Sequence, residues 1–175
     1  MKRTRMAVLL PLTLLPLACA DGVAEPMAPE SHAVQLAMAV PAEVAGTYDA
    51  VVDFSTLRLT PVGRNCRLVV DGMLVFSGDV EGTATGTTTA LIFAPCDQVA
   101  TTPPGTYRDV FTSELHFVGT VNGEPAEAKG LYQGVTHVGG AITGHVHFSN
   151  GVAGVLDADA IVAVGGSYEG RLVVR

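Results

Sequence analysis

Tryptophan is absent from this chain of 175 residues, and six phenylalanines and four tyrosines are its only aromatics. A barrel built for an outer membrane belts itself with aromatic girdles at both interfaces. This chain lacks the residues for them, and it ends Val173-Val174-Arg175 rather than on an aromatic. Long apolar runs are missing too: Met6 to Leu17 is interrupted by Pro11 and Pro16 and falls short of the ~20 residues a membrane helix needs. Basic residues are few, 10 against 17 acidic. Arg58, Arg64, Arg67 and Arg171 are dispersed rather than clustered, which argues against nucleic acid or an anionic lipid surface as partner. The three cysteines include no close pair of the zinc-binding kind. No strand–GxGxxG–helix arrangement offers a nucleotide site, and no segment holds a helical apolar stripe for three turns.

What is present begins with an address. Lys2, Arg3 and Arg5 precede the apolar run, and the small residues Ala18-Cys19-Ala20 close it. That order is a secretory signal. A small residue before Cys19 resembles the bacterial lipoprotein box, with Leu17 and Ala18 fitting and Pro16 standing where an aliphatic residue is usual. Residues 1–18 are thus expected to be a lipoprotein-type signal peptide and Cys19 the lipidated first residue. The protein would be exported and anchored to the cell envelope, at the outer membrane or the periplasmic face, with the membrane as partner through Cys19. Ala20, in place of an aspartate, leans toward the outer membrane. Cleavage at Ala18-x-Ala20 is the alternative and leaves the protein secreted. Either way Cys66 and Cys96 remain as a pair, and in an oxidising compartment a disulfide is the default. Three basic residues leave with the signal, so seven face 17 acidic ones at a net charge of −10.

Residues 19–42 read as an Ala/Pro-rich tether, punctuated by Pro26, Pro29 and Pro41, with an r.m.s. reach of about 25 Å. From residue 43 to 175 Gly, Thr and Val dominate, and one all-β domain is expected. Strands can be drawn at Gly46–Leu59, Cys66–Phe76, Gly78–Thr85, Thr87–Phe93, Tyr107–Val121, Glu124–Thr136, Ala141–Ser149, Val152–Val164 and Tyr168–Val174. The second and third could form one long bent strand, and the spacing suits a sandwich or closed barrel.

Three segments sharpen this. Phe76-Ser77-Gly78-Asp79-Val80-Glu81-Gly82, then Phe117-Val118-Gly119-Thr120-Val121-Asn122-Gly123-Glu124, then Gly165-Gly166-Ser167-Tyr168-Glu169-Gly170, in that order, resemble a secreted bacterial family of unknown function. The resemblance covers about residues 46–175. It implies an eight-stranded antiparallel β-barrel of the kind shared by allene oxide cyclases and dirigent proteins. The chain departs from that family at Val164–Glu169, where a Gly-Thr-Gly-acidic-Leu run is usual, and in the insertion Pro95–Gly105. No catalytic set carries over.

Glycines within strands, among them Gly78, Gly82, Gly119, Gly130, Gly134 and Gly144, fit the bulges and sharp coiling that close a small barrel. The one constellation with chemistry lies on the hairpin Glu124–Ser149. If Gly139-Gly140 is a two-residue turn, Tyr132 faces His147 and Gly134 faces His145. Tyr132, Thr136, Thr143, His145 and His147 then share one face, and Leu131, Val135, Ile142, Val146 and Phe148 the other. The two histidines, with His116 or Glu114, have metal-ligand spacing, and Tyr132 with His147 could act as an acid/base pair. The simpler reading makes this face the barrel's wet exterior, so no metal and no cofactor are expected. Asp109 beside Arg108 reads as rim charge, and Asp157 and Asp159 as one surface face.

Three roles remain. The first is an anchored, non-enzymatic barrel holding a small apolar ligand. The second is a cyclase- or isomerase-type enzyme, with Tyr132, His145 and His147 as the candidates. The third is a structural or adhesive surface module, and assembly of copies is open for all. A solid core would favour the last, a hollow one the first two.

Overall fold

The structure, a computed structural model, describes residues 40–175; the signal, Cys19 and nearly all of the tether lie outside the described residues. Eight antiparallel strands follow one another round a closed barrel: β1 (Ala42–Val62), β2 (Asn65–Gly78), β3 (Val80–Ile92), β4 (Asp109–Val121), β5 (Glu124–Thr136), β6 (Ala141–Ser149), β7 (Val152–Ile161) and β8 (Gly165–Val174). β8 pairs back onto β1 from Leu172 against Ala42 to Gly165 against Asp49. Closure at this seam covers the β1 edge from Ala42 to Asp49, beyond which β1 pairs with β2 alone. The one helix among the described residues is α1 (Cys96–Val99), inside the long β3–β4 connection.

Two details differ from the sequence reading. The segments drawn as Gly78–Thr85 and Thr87–Phe93 are a single strand, β3, which runs unbroken through Gly86. Gly86 is no turn: a Cβ there would overlap the Glu114 carbonyl oxygen of β4, so glycine permits close backbone approach. The second difference is the β5–β6 turn. The His137 N–H donates to the Ala141 carbonyl at 2.7 Å, which encloses three residues, Val138, Gly139 and Gly140, rather than two. Gly139 and Gly140 take φ of 97° and 88°, where side chains with a Cβ are strained. One extra loop residue slips the register by one and flips a whole strand's facing. Tyr132 therefore pairs with Val146, and His147 with Leu131.

Alternation sorts the side chains. Outward positions carry Glu114, His116, Glu127, Lys129, His145 and Asp157, all exposed, a surface incompatible with a lipid-facing band. Inward positions form the core, which fills only one end. There Phe148, Phe117, Phe76, Tyr168 and Tyr48 stack edge-to-face or tilted, with ring centroids 5.5–6.0 Å apart, a favoured aromatic geometry. Leu156, Leu172, Val44, Val80 and Val152 close the gaps. Tyr168 locks this end: its hydroxyl receives the Val80 N–H at 2.9 Å. The chain also enters here, with the Ala45 N–H donating to the Asp79 carboxylate at 2.9 Å.

The opposite end is a rim sewn together between loops. The Gly139 N–H donates to Gly105, Val162 to Gly140, and Ala50 to Val164, each at 2.9–3.0 Å. The Cys66–Cys96 disulfide, expected from the cysteine count, fastens α1 to the start of β2. Around it Ala90, Ile92 and Ala94 form a second small core with Leu59, Leu68, Val99 and Tyr107. Closing a loop of 30 residues restricts the unfolded chain. Replacing both cysteines by alanine should therefore lower the unfolding free energy by about 3–4 kcal/mol in urea titrations, and a loss below ~1 kcal/mol would mean that the rim holds without the bridge.

Candidate functional site

Between the aromatic core and the rim lies a cavity of about 360 Å³. It exists because the inward positions at this level are small: Gly72, Gly86, Thr88, Ala90 and Ser113 stand where the other end carries phenylalanines. Tyr132 and Phe111, ring centroids 4.9 Å apart, form the floor. β1 and β2 extend past the seam and overhang the mouth. A bulge between Asp53 and Arg58 shifts their register, and Asp53 staples it, accepting from the Ser55 hydroxyl at 2.6 Å and backbone N–H at 3.0 Å. The bulge swings Phe54 and Leu57 to the cavity lip, with Phe54 56% exposed. Across from them lie Val99, Pro103 and Pro104 of the β3–β4 connection, the insertion that departs from the resembled family.

Polar groups are few and nearly all satisfied. The Tyr48 and Tyr132 hydroxyls share a hydrogen bond of 2.8 Å across the lumen. Thr88 Oγ1 and Ser113 Oγ share another of 2.7 Å. Burial pushes both tyrosine hydroxyls further above their ordinary range, and for Tyr132 the adjacent Tyr48 adds to it. Neither is suited to give up a proton at neutral pH.

The sequence candidates do not share a site. Tyr132 is 5% exposed and faces the cavity, not the exterior expected for it. His145 and His147 project outward from β6 and are exposed. His145 Nδ1 meets the Asp157 carboxylate at 2.6 Å, a surface pair that adds little stability. His116 lies 3.5 Å from Glu127 instead of joining them. Among the described residues no cluster of three His, Cys, Asp or Glu side chains could hold a metal ion.

Asp109 is a second residue that the sequence reading misplaced. It opens β4 opposite Thr136, on an inward position, and is 8% exposed. Arg108, just before it in the chain, turns away over the Phe93 ring at 5.6 Å, and among the described residues Asp109 makes no salt bridge. Burial pushes its carboxyl up to about 6, against hydrogen bonds from Thr136 that pull it down. The signal for this was phase: Asp109 shares the odd-numbered face of Phe111, Leu115 and Phe117, which the composition of β4 marks as inward.

The comparisons with known proteins give a fold and no activity. No family model matches the chain, and no curated protein matches it. The solved structure of a protein of unknown function from the DUF3224 family of Shewanella oneidensis MR-1 is similar, with a TM-score of 0.55 at 14% identity over 78% of this chain and 98% of that one. The eight-stranded barrel expected from the sequence is present. The likeness says nothing of allene oxide cyclases.

An aspartate titrates near ~3.9 in an unfolded chain and near 6 here. The folded state thus holds the proton more tightly. Stability from this group is full below about pH 4 and is lost as pH rises through about 6. Asp109→Asn should be the more stable form at pH 7.5, and the difference between the two proteins should shrink or reverse by roughly 2–3 kcal/mol on going to pH 4. Urea titrations at both pH values check this, and a pH-independent difference would contradict a buried carboxylate.

Proposed function

We propose that this chain is an exported, lipid-anchored envelope protein whose barrel binds a small, largely apolar ligand at the end opposite the start of β1. The cavity carries the reading. Its volume of about 360 Å³ falls within the range of small-molecule sites, and its wall combines aliphatic and aromatic side chains with a few convergent polar groups, as such sites do. A half-hollow barrel supports binding over a purely structural module. The cyclase or isomerase alternative finds less support, because its three candidate residues divide between lumen and exterior.

The direction of the chain supports the anchored geometry. The described chain begins at Val40, and β1 starts at the filled end. A tether from Cys19 would join the barrel at that end and not at the mouth. Anchoring through the diacylated cysteine of a lipoprotein, with a further N-terminal acyl chain, is effectively stable, whereas single chains hold only marginally.

A ligand site of fixed size has a length optimum. Straight-chain alcohols from six to fourteen carbons should raise the thermal midpoint of the full chain carrying Cys19→Ser increasingly up to about ten carbons, then less. Ala50→Trp, at a half-buried lining position, should abolish the effect. A monotonic rise through fourteen carbons, or stabilisation unaltered in the tryptophan variant, would place binding outside the cavity. Separately, metabolic labelling with palmitate should mark the protein in its bacterial host and vanish with Cys19→Ala. Persistent labelling would refute the anchor.

A further inference from the structure

The cavity wall is chemically one-sided. Its lining includes no lysine, arginine or histidine, and its two charged residues are both aspartates, Asp71 and Asp109. Asp71 lies at the overhanging lip and is already engaged, accepting from the Thr87 hydroxyl at 2.6 Å. Asp109 is different: it is more than nine-tenths buried, has no cation partner among the described residues, and has only Thr136 as a donor. A carboxylate offers about four acceptor sites. Thr136 cannot fill all of them, and of the lining hydroxyls Thr88 is bonded to Ser113 and Tyr132 to Tyr48.

We infer that the ligand of this cavity is a cationic amphiphile, an apolar body bearing one protonated amine that pairs with Asp109. This rests on the cavity being a ligand site, and it names the class that site takes. Three observations converge on it. An ammonium donates up to three hydrogen bonds and accepts none, so it complements an ionised carboxylate, which only accepts. A charge-assisted bond to a buried carboxylate is stronger than a neutral one, whereas a fatty acid would bring a second anion into a lumen with no counter-charge. The surface reinforces the choice: 17 acidic residues against seven basic ones beyond the signal attract cations toward the mouth and repel anions. Two polar groups stand on the same face of β4, Asp109 near the mouth and Ser113 at the level of the floor, with Phe111 between them, about 13 Å apart at strand rise. Apolar side chains such as Ala90 on β3 and Leu68 and Val70 on β2 line the adjoining wall, so a head at the rim places the tail along it. At about 30 Å³ per water-sized group, a cavity of 360 Å³ suits about twelve non-hydrogen atoms.

Decylamine, decan-1-ol and decanoate share a chain and differ in the head. Calorimetric titration of the full chain carrying Cys19→Ser, at pH 8 where Asp109 is ionised, should show the amine binding at least tenfold tighter than the alcohol. Decanoate should neither bind nor compete. In Asp109→Asn, whose fold is checked by circular dichroism, amine and alcohol should bind within about twofold of each other. Ala50→Trp should remove both, separating binding in the lumen from amine adhering to the acidic surface. Equal affinities in the unmodified cavity, a preference that survives Asp109→Asn, or amine binding that survives Ala50→Trp would each overturn the amine assignment. Failure of all three compounds to bind would overturn the ligand cavity itself.

Discussion

The hydrogen bond between Tyr48 and Tyr132 is the constraint on which the rest of this molecule depends. The two residues stand on β1 and β5, four strands apart in either direction round the barrel, so the bond is a strut across the lumen. Its length of 2.8 Å fixes how near the opposite walls come. On one side of it the aromatic core fills the barrel. On the other the lumen is hollow. Both hydroxyls are buried, so each would cost about 1–3 kcal/mol if its partner were lost, and the pair also stands edge-on with ring centroids 6.3 Å apart. The strut thus supplies at once the ceiling of the core and the floor of the cavity.

A hollow end needs a rim that does not collapse, and the connections provide one. Backbone hydrogen bonds pass from the β3–β4 segment to the β5–β6 turn, from there to the β7–β8 turn, and on to β1. The disulfide completes the circuit between α1 and β2. Gly105 shows how tight this is. It sits at a φ of +82°, where a Cβ would meet Gly140, so two loops touch backbone to backbone. The insertion that looked foreign to the resembled family is the piece that bridges one side of the mouth.

Much of this was legible in the chain. Alternation on β4 and the Gly-rich turns implied a barrel, and the odd cysteine count implied the Cys66–Cys96 bridge. What escaped was phase. A two-residue turn at Gly139-Gly140 and a three-residue turn at Val138–Gly140 differ by one residue. That residue decides whether Tyr132 shares a face with His147 or with Val146. Local sequence cannot decide it, since both turns accept glycine; the packing of Val146 and Phe148 into the core does. Gly86 misled for a related reason, because a glycine that lets two strands touch looks the same as one that turns the chain. Asp109 was hidden by its neighbour: Arg108 beside it suggests a rim ion pair, but adjacent residues on a strand point to opposite faces.

The hollow follows from side-chain choice and not from strand number alone. Eight strands enclose a lumen that side chains can fill or that can hold one small ligand, and this barrel does both, one at each end. On β3 the inward residues run Val80, Gly82, Ala84, Gly86, Thr88, Ala90 and Ile92, and none of the central five is larger than threonine. At the filled end that slimness is offset by Phe76 and Phe117 on the adjoining strands, packed edge-to-face at 6.0 Å. Toward the mouth Gly86 has Gly72 as its β2 neighbour and Thr88 has Ser113 as its β4 neighbour, so these levels gain bulk from one side only, from Leu115 and Val70. Phenylalanine at Ser113 would narrow the lumen with a residue that strands favour, whereas at Gly72 even a Cβ would meet the Val51 carbonyl oxygen. The volume is therefore a property of particular positions, as is the carboxylate placed within it. An unpaired acid in an apolar wall weakens the fold at neutral pH, so the same few residues that make the cavity also make the charge within it costly to leave without a partner.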